Sequence, residues 1–175
     1  DQAMAAYRTA ARMFKGYHVP LLYIGMQYLR TYNLQLAETS LLKTLELCST
    51  DPLVYNELGV VAYRQGKWDE AIQYFETALS KVPNDAVVRK QWEPTLFNVG
   101  HCFRKTQKYD EALRKYHEAL MLVPKESTLY AAIGFTLQLQ GKVDKAVDYY
   151  HKALSLNSMD GFVAEMLTRA IEGLA

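Results

Sequence analysis

Only two cysteines occur in the 175 residues, Cys48 and Cys102. They lie in different segments and in no CxxC arrangement. This argues against a disulfide scaffold or a zinc ribbon and points to reduced thiols in a cytosolic or nuclear protein. No apolar run approaches the roughly 18 residues that a membrane span needs. Neither sign of charge prevails: 20 basic residues stand against 19 acidic, a formal net charge of +1. A nucleic-acid binder or a ligand of acidic membranes would carry a basic excess, so neither partner is expected. There is no glycine-rich phosphate loop, no local Ser/His/Asp signature and no paired carboxylates beyond surface ones, so neither enzyme nor cofactor is expected. The chain opens at Asp1 in the middle of a pattern, which reads as an excised fragment; the absence of a leader there carries no weight.

What is present is repetition. WDEAIQYFETALSKVP (Trp68 to Pro83) returns as YDEALRKYHEALMLVP (Tyr109 to Pro124) and as VDKAVDYYHKALSLNS (Val143 to Ser158). Glycines 25, 59, 100 and 134 are spaced by 34, 41 and 34 residues. Each is followed at fixed offsets by Ala37, Ala71, Ala112 or Ala146, then by Leu41, Phe75, Tyr116 or Tyr150, then by Thr44, Ala78, Ala119 or Ala153. Apolar residues at spacings of 3, 4 and 7 mark one face of a helix, as in Tyr55, Leu58, Gly59 and Ala62. Gly66 and Gly141 suit the turn between two helices. Asp69, Asp110 and Asp144 suit the first turn of a second helix, and Pro83 and Pro124 its end.

These fixed positions resemble the tetratricopeptide repeat, a 34-residue helix–turn–helix unit. The resemblance implies an all-α fold, a superhelix of antiparallel helix pairs. Four repeats are read at 18–51, 52–85, 93–126 and 127–160. Residues 1–17 read as the second helix of a truncated repeat, with Met4, Met13 and Phe14 expected to be exposed, and 161–175 as a terminal helix. Residues 86–92 are read as a loop inserted between repeats, closing on a buried, orienting Trp92, with Pro94 in the first turn of the next helix.

With catalysis set aside, binding remains. His117 and His151 fall at equivalent repeat positions and read as solvated or interfacial. No compact set of metal ligands is legible, since His101 and Cys102 are adjacent on a helix and point apart. The thirteen tyrosines are read mainly as packing residues. In a stack of this kind the first helix of each unit lines the concave groove through its fifth, ninth and twelfth positions. These are Leu22, Met26 and Leu29; Asn56, Val60 and Tyr63; Phe97, His101 and Arg104; and Ala131, Phe135 and Gln138. The sixth positions add Tyr23, Glu57, Asn98 and Ala132. Such a face suits an extended peptide with an apolar anchor and hydrogen bonds from Asn and Glu side chains. A clamp for the C-terminal carboxylate of chaperones is disfavoured. It needs Lys then Asn in one unit and Asn in the next, whereas Leu22 and Met26 precede Glu57, and Asn56 and Val60 precede Asn98.

Three stretches go beyond the generic repeat: DQAMAAYRTAARMFKGYHVPLLYIGMQY, DPLVYNELGVVAYRQGKW and WEPTLFNVGHCFRKTQKYDEAL. With the seven-residue insertion before Trp92-Glu93-Pro94, they resemble the C-terminal repeats of subunit six of the anaphase-promoting complex, the cell-division-cycle sixteen family. The resemblance implies a non-catalytic scaffold of a ubiquitin ligase acting in cell division, in nucleus and cytoplasm. It implies a groove that encloses the extended N-terminal segment of a small accessory subunit and is stabilised by it. It also implies contact with other tetratricopeptide subunits and homodimerisation through repeats outside this chain. The competing readings are a co-chaperone or transport adaptor for peptide tails, and the targeting arm of an enzyme such as a glycosyltransferase.

Overall fold

In the computed structural model residues 2–173 are described; Asp1, Leu174 and Ala175, at the ends of the expected terminal segments, lie outside them. Every regular element among the described residues is a helix: α1 (Gln2–Met13), α2 (Val19–Arg30), α3 (Leu34–Leu47), α4 (Pro52–Arg64), α5 (Trp68–Lys81), α6 (Ala86–Lys90), α7 (Glu93–Lys105), α8 (Tyr109–Leu122), α9 (Ser127–Leu139), α10 (Val143–Leu156) and α11 (Gly161–Glu172). The chain divides into two compact units, Asp1–Pro83 and Asn84–Ala175.

Unit 1 pairs α2 with α3 and α4 with α5. A Cβ on Gly59 would stand 2.6 Å from the Phe75 ring, and one on Gly25 2.7 Å from Leu41. The missing side chain therefore lets the two helices of a pair approach until the large residue of the second fills the gap. Phe75 and Leu41 are fully buried there, with Ala37, Ala71 and Ala78. Asp51 starts α4 by accepting a hydrogen bond from the Leu53 backbone N–H at 2.9 Å, and Pro52 occupies the first turn, where its missing N–H is not needed. The same Asp51 carboxylate meets His18 Nε2 at 3.1 Å and so ties the start of α2 to the start of α4. α1 has no buried residue; Met13 and Phe14 are 70% and 59% exposed, while Met4 is half-buried.

Unit 2 repeats the scheme with α7–α8 and α9–α10, then adds α11 against α10. Here the residues facing Gly100 and Gly134 are Tyr116 and Tyr150, and a glycine Cβ would lie 2.5 and 2.9 Å from their rings. The insertion differs from the expected loop. Asp85 accepts hydrogen bonds from the Val87 and Val88 N–H groups at 2.9 and 3.0 Å, and Arg89 donates to Asn84 Oδ1 at 2.9 Å. These local bonds close the short helix α6; five residues cannot display a helical period, so only the cap announced it. Trp92 is half-buried rather than buried and caps α7, with Pro94 in the first turn.

Each turn within a pair ends in a left-handed residue, and the following N–H reaches back to the helix: Lys67 to the Ala62 carbonyl at 2.9 Å and Lys142 to the Leu137 carbonyl at 2.9 Å. Gly66 and Gly141 take φ of 76° there, but Tyr32 and Gln107 take 59° and 61° at the equivalent places.

Candidate peptide-binding faces

On unit 1, the candidate face runs over α2 and α4. Tyr23 is 41% exposed and stacks on Tyr7 of α1 at 5.2 Å, nearly parallel. Met26, Asn56, Glu57, Val60 and Tyr63 are half-buried. The Asn56 amide donates to Glu57 Oε1 at 2.9 Å. Burial raises the Glu57 carboxyl above the ordinary carboxylate range, opposed by the Asn56 bond and the Arg64 charge. Tyr63 packs edge-on against Trp68 at 5.1 Å. Arg64 donates to the Leu29 carbonyl and lies over the Tyr32 ring, 4.7 Å from its centre.

Two groove assignments on this unit do not hold. Leu22 and Leu29 are 2% and 3% exposed and belong to the core with Leu41, Val54, Leu58 and Val61. The cause is that α2 packs against α4 as well as α3, so the fifth and twelfth positions of α2 are covered by the next first helix. A separate hollow of about 440 Å³ between α1 and α2 is lined by Ala3, Met4, Ala5, Arg8, Gln27, Tyr28 and Thr31, none of them an expected groove residue.

On unit 2, the face runs over α7 and α9 and is built from polar and aromatic groups in contact. Phe97 meets His101 edge-on at 4.7 Å and Tyr116 at 5.7 Å. His101 Nδ1 lies 3.1 Å from Arg104 Nη2 and 3.1 Å from the Tyr116 hydroxyl. A guanidinium only donates, so Nδ1 is the acceptor and the proton of neutral His101 is on Nε2. Burial, then the charges of Arg104 and Lys105, push the imidazole down to about 4, so it stays neutral near pH 7. Arg104 lies over the Phe135 ring, 4.9 Å from its centre, and its Nε is buried without a partner. Tyr150 donates its hydroxyl proton to Gln138 Oε1 at 2.6 Å, and burial pushes that phenol up to about 12. Asn98 is half-buried, as are Phe97, Phe135, Gln138 and Ala131; Ala132 is buried and lines nothing.

The apolar members Met26, Val60, Phe97 and Phe135 are thus half-buried against neighbouring helices rather than fully exposed. What the sequence reading missed is the part played by Tyr116 and Tyr150. Their rings were legible as core; their hydroxyls reach the face and orient His101 and Gln138. The available signal was the Leu41, Phe75, Tyr116, Tyr150 series: a buried phenol needs a hydrogen-bond partner where Leu and Phe do not. Neither cysteine is in a disulfide; Cys102 is buried and Cys48 half-buried. His117 and His151 are exposed. Among the described residues no group of three His, Cys, Asp or Glu side chains is placed to hold a metal ion, and no helix is long and apolar enough to cross a membrane.

Comparison with known proteins fits this architecture. Tetratricopeptide-repeat family models match residues 52–85, 94–126 and 127–158. The chain is 46% identical to the human cell division cycle protein 16 homolog, across 98% of this chain and 28% of that protein. It is also 46% identical to anaphase-promoting complex subunit 6 of Arabidopsis thaliana, across 98% of this chain and 31% of that one. Among solved structures, the crystal structure of the APC/C hetero-tetramer Cut9–Hcn1 contains a chain that superimposes with a TM-score of 0.86 at 34% identity, over 97% of this chain and 32% of that one. MamA superimposes with a TM-score of 0.78 at 22% identity, a likeness of fold alone. The chain spans about a third or less of the length of these curated relatives. By its repeat signature, its paired helices and its identity with these relatives, the chain belongs to the tetratricopeptide-repeat family, in the branch of the cell division cycle 16 and anaphase-promoting complex subunit 6 proteins.

Proposed function

We propose that this chain is part of a scaffold subunit of an anaphase-promoting complex, a structural rather than catalytic component of a ubiquitin ligase acting in cell division in nucleus and cytoplasm. Its candidate faces hold the extended N-terminal segment of a small accessory subunit and are stabilised by it. Repeats outside the chain carry homodimerisation, and other tetratricopeptide subunits are neighbours in the complex. The observation that carries this reading is the likeness, over nearly the whole chain, to Cut9, which was solved together with the small protein Hcn1. The faces support it. Each combines partly covered apolar groups with polar side chains: Met26 and Val60 with Asn56 bonded to Glu57, and Phe97 and Phe135 with the half-buried Asn98 and with His101 bonded to Tyr116. A ligand of the folded repeats alone raises their stability by mass action, and one that spans several repeats links units that otherwise touch only their neighbours.

The test is a thermal melt of the chain with and without a synthetic peptide of the Hcn1 N-terminal segment. The expected result is an upward shift that Asn98→Ala removes, with little change in the melt of that variant alone. No shift, together with a blank calorimetric titration, would leave the fold standing and refute the partner.

A further inference from the structure

The unit 2 face has an asymmetry that the general reading of an extended-peptide groove does not use. Each buried tyrosine takes up the one acceptor atom of a side chain on the face. Tyr116 bonds His101 Nδ1, and Tyr150 bonds Gln138 Oε1. The His101 Nε2–H and the Gln138 amide NH2 have no protein partner among the described residues. Arg104 adds its own donors, with Nε buried and without a partner. In unit 1 the residues equivalent to the two tyrosines are Leu41 and Phe75, which carry no hydroxyl, and the polar groups there include the Glu57 carboxylate.

The geometry points to a carboxylate subsite on this face for an acidic side chain of an extended peptide: it is centred on the Arg104 guanidinium, which lies over Phe135 of α9, with the Gln138 amide one turn further along that helix as a second donor. The inference rests on the groove reading above only in taking a peptide as the ligand. Charge decides between a carboxylate and a main-chain carbonyl. Arg104 is held by a neutral imidazole and a phenyl ring, and among the described residues it has no ion-pair partner. Helix α9 carries no acidic residue, and α7 carries one, Glu93, in its first turn, three helical turns from Arg104. A partly buried guanidinium without a counter-ion is left with its desolvation uncompensated, which an anion relieves and a neutral carbonyl does not. His101 is itself prevented from supplying a second charge, since its Nδ1 lone pair is engaged by Arg104 and Tyr116. It acts instead by holding Arg104 through Nδ1, and Phe97 packs against the imidazole at 4.7 Å.

The test uses two small probes that differ only in charge: N-acetyl-glutamate N′-methylamide and N-acetyl-glutamine N′-methylamide. Each is titrated into the chain while the Arg104 Nε–H and Gln138 side-chain amide resonances are followed by nitrogen-edited NMR. The expected result is a shift of both resonances, with roughly tenfold tighter binding of the glutamate probe. In Arg104→Met the preference disappears; in Gln138→Ala it is weakened. Equal binding of the two probes, or no movement of the two resonances, overturns the subsite, and this comparison needs only the unsubstituted chain. The two readings fail separately. If the Hcn1 peptide binds but the glutamate probe shows no preference, the subsite is lost and the groove stands. A glutamate preference with a blank Hcn1 titration keeps the subsite and removes the partner.

Discussion

Gln107→Gly should stabilise the chain by roughly 0.5–1 kcal/mol, an unusual sign for a glycine substitution. Four turns join the two helices of a pair, and in each one residue adopts a left-handed backbone. Two of these are Gly66 and Gly141; the others are Tyr32 and Gln107, at φ of 59° and 61°. For a residue with a Cβ that conformation costs about 1–2 kcal/mol, and the greater freedom of glycine in the unfolded chain returns part of the gain. Gln107 is exposed and its backbone N–H bond to the Arg104 carbonyl, 3.1 Å, survives the change. Tyr32→Gly relieves the same strain but removes the ring beneath Arg64, an exposed cation–π contact of about 0.5–1 kcal/mol, so its net effect should be near zero. Gly66→Ala and Gly141→Ala should each cost about 1 kcal/mol. The assay is equilibrium urea unfolding, comparing midpoints at constant slope. A lower midpoint for Gln107→Gly, or a gain for Tyr32→Gly equal to that for Gln107→Gly, would refute the reasoning.

Three further outcomes are expected. Gly100→Ala should destabilise by about 1–3 kcal/mol despite the better helix propensity of alanine, since the new methyl lands 2.5 Å from the fully buried Tyr116 ring; Gly16→Ala, which meets nothing, is the control, and equal melts for the two would contradict it. The His101 imidazole is lowered in the folded chain from 6.5 to about 4, so the unfolded chain binds the proton first. Its contribution is complete above pH 6.5 and is lost as the pH falls toward 4, by about 3 kcal/mol at most; the stability gap between wild type and His101→Gln should therefore shrink between pH 7.5 and 4.5, and a constant gap across that range would show the shift to be absent. Asp51→Asn keeps a capping side chain for α4 but removes the charge facing His18, and should cost less than Asp51→Ala, which loses about 1 kcal/mol of cap as well; the ranking is read from thermal midpoints.

Much of the architecture was legible because its determinants are local and recur. A glycine that lets helices touch and a large residue sixteen positions later that fills the space repeat at fixed offsets along the chain, with an acidic first turn in α5, α8 and α10. The helix α6 was not legible: its five residues show no period, and Asp85 alone announces it. The candidate faces were legible as positions but not as surfaces. Leu22 and Met26 share the same repeat rule, yet Leu22 is a buried member of the core cluster with residues of α3 and α4, while Met26 packs only at its edge and stays half covered. The orienting hydroxyls of Tyr116 and Tyr150 join residues 15 and 12 positions apart, across two helices, and no periodicity along one helix encodes that.

By itself, then, the sequence determined the fold class, the repeat and the resemblance to the cell division cycle 16 branch. Spacing along a helix dictates which face is apolar, and four copies of the same spacing leave a helix-pair stack as the arrangement that buries them all. Only the tertiary structure decided which groove positions remain open, which tautomer His101 adopts and where Arg104 is left without a counter-ion. Those depend on what a neighbouring helix brings within about 3 Å of a given atom, the range over which hydrogen bonds and burial act.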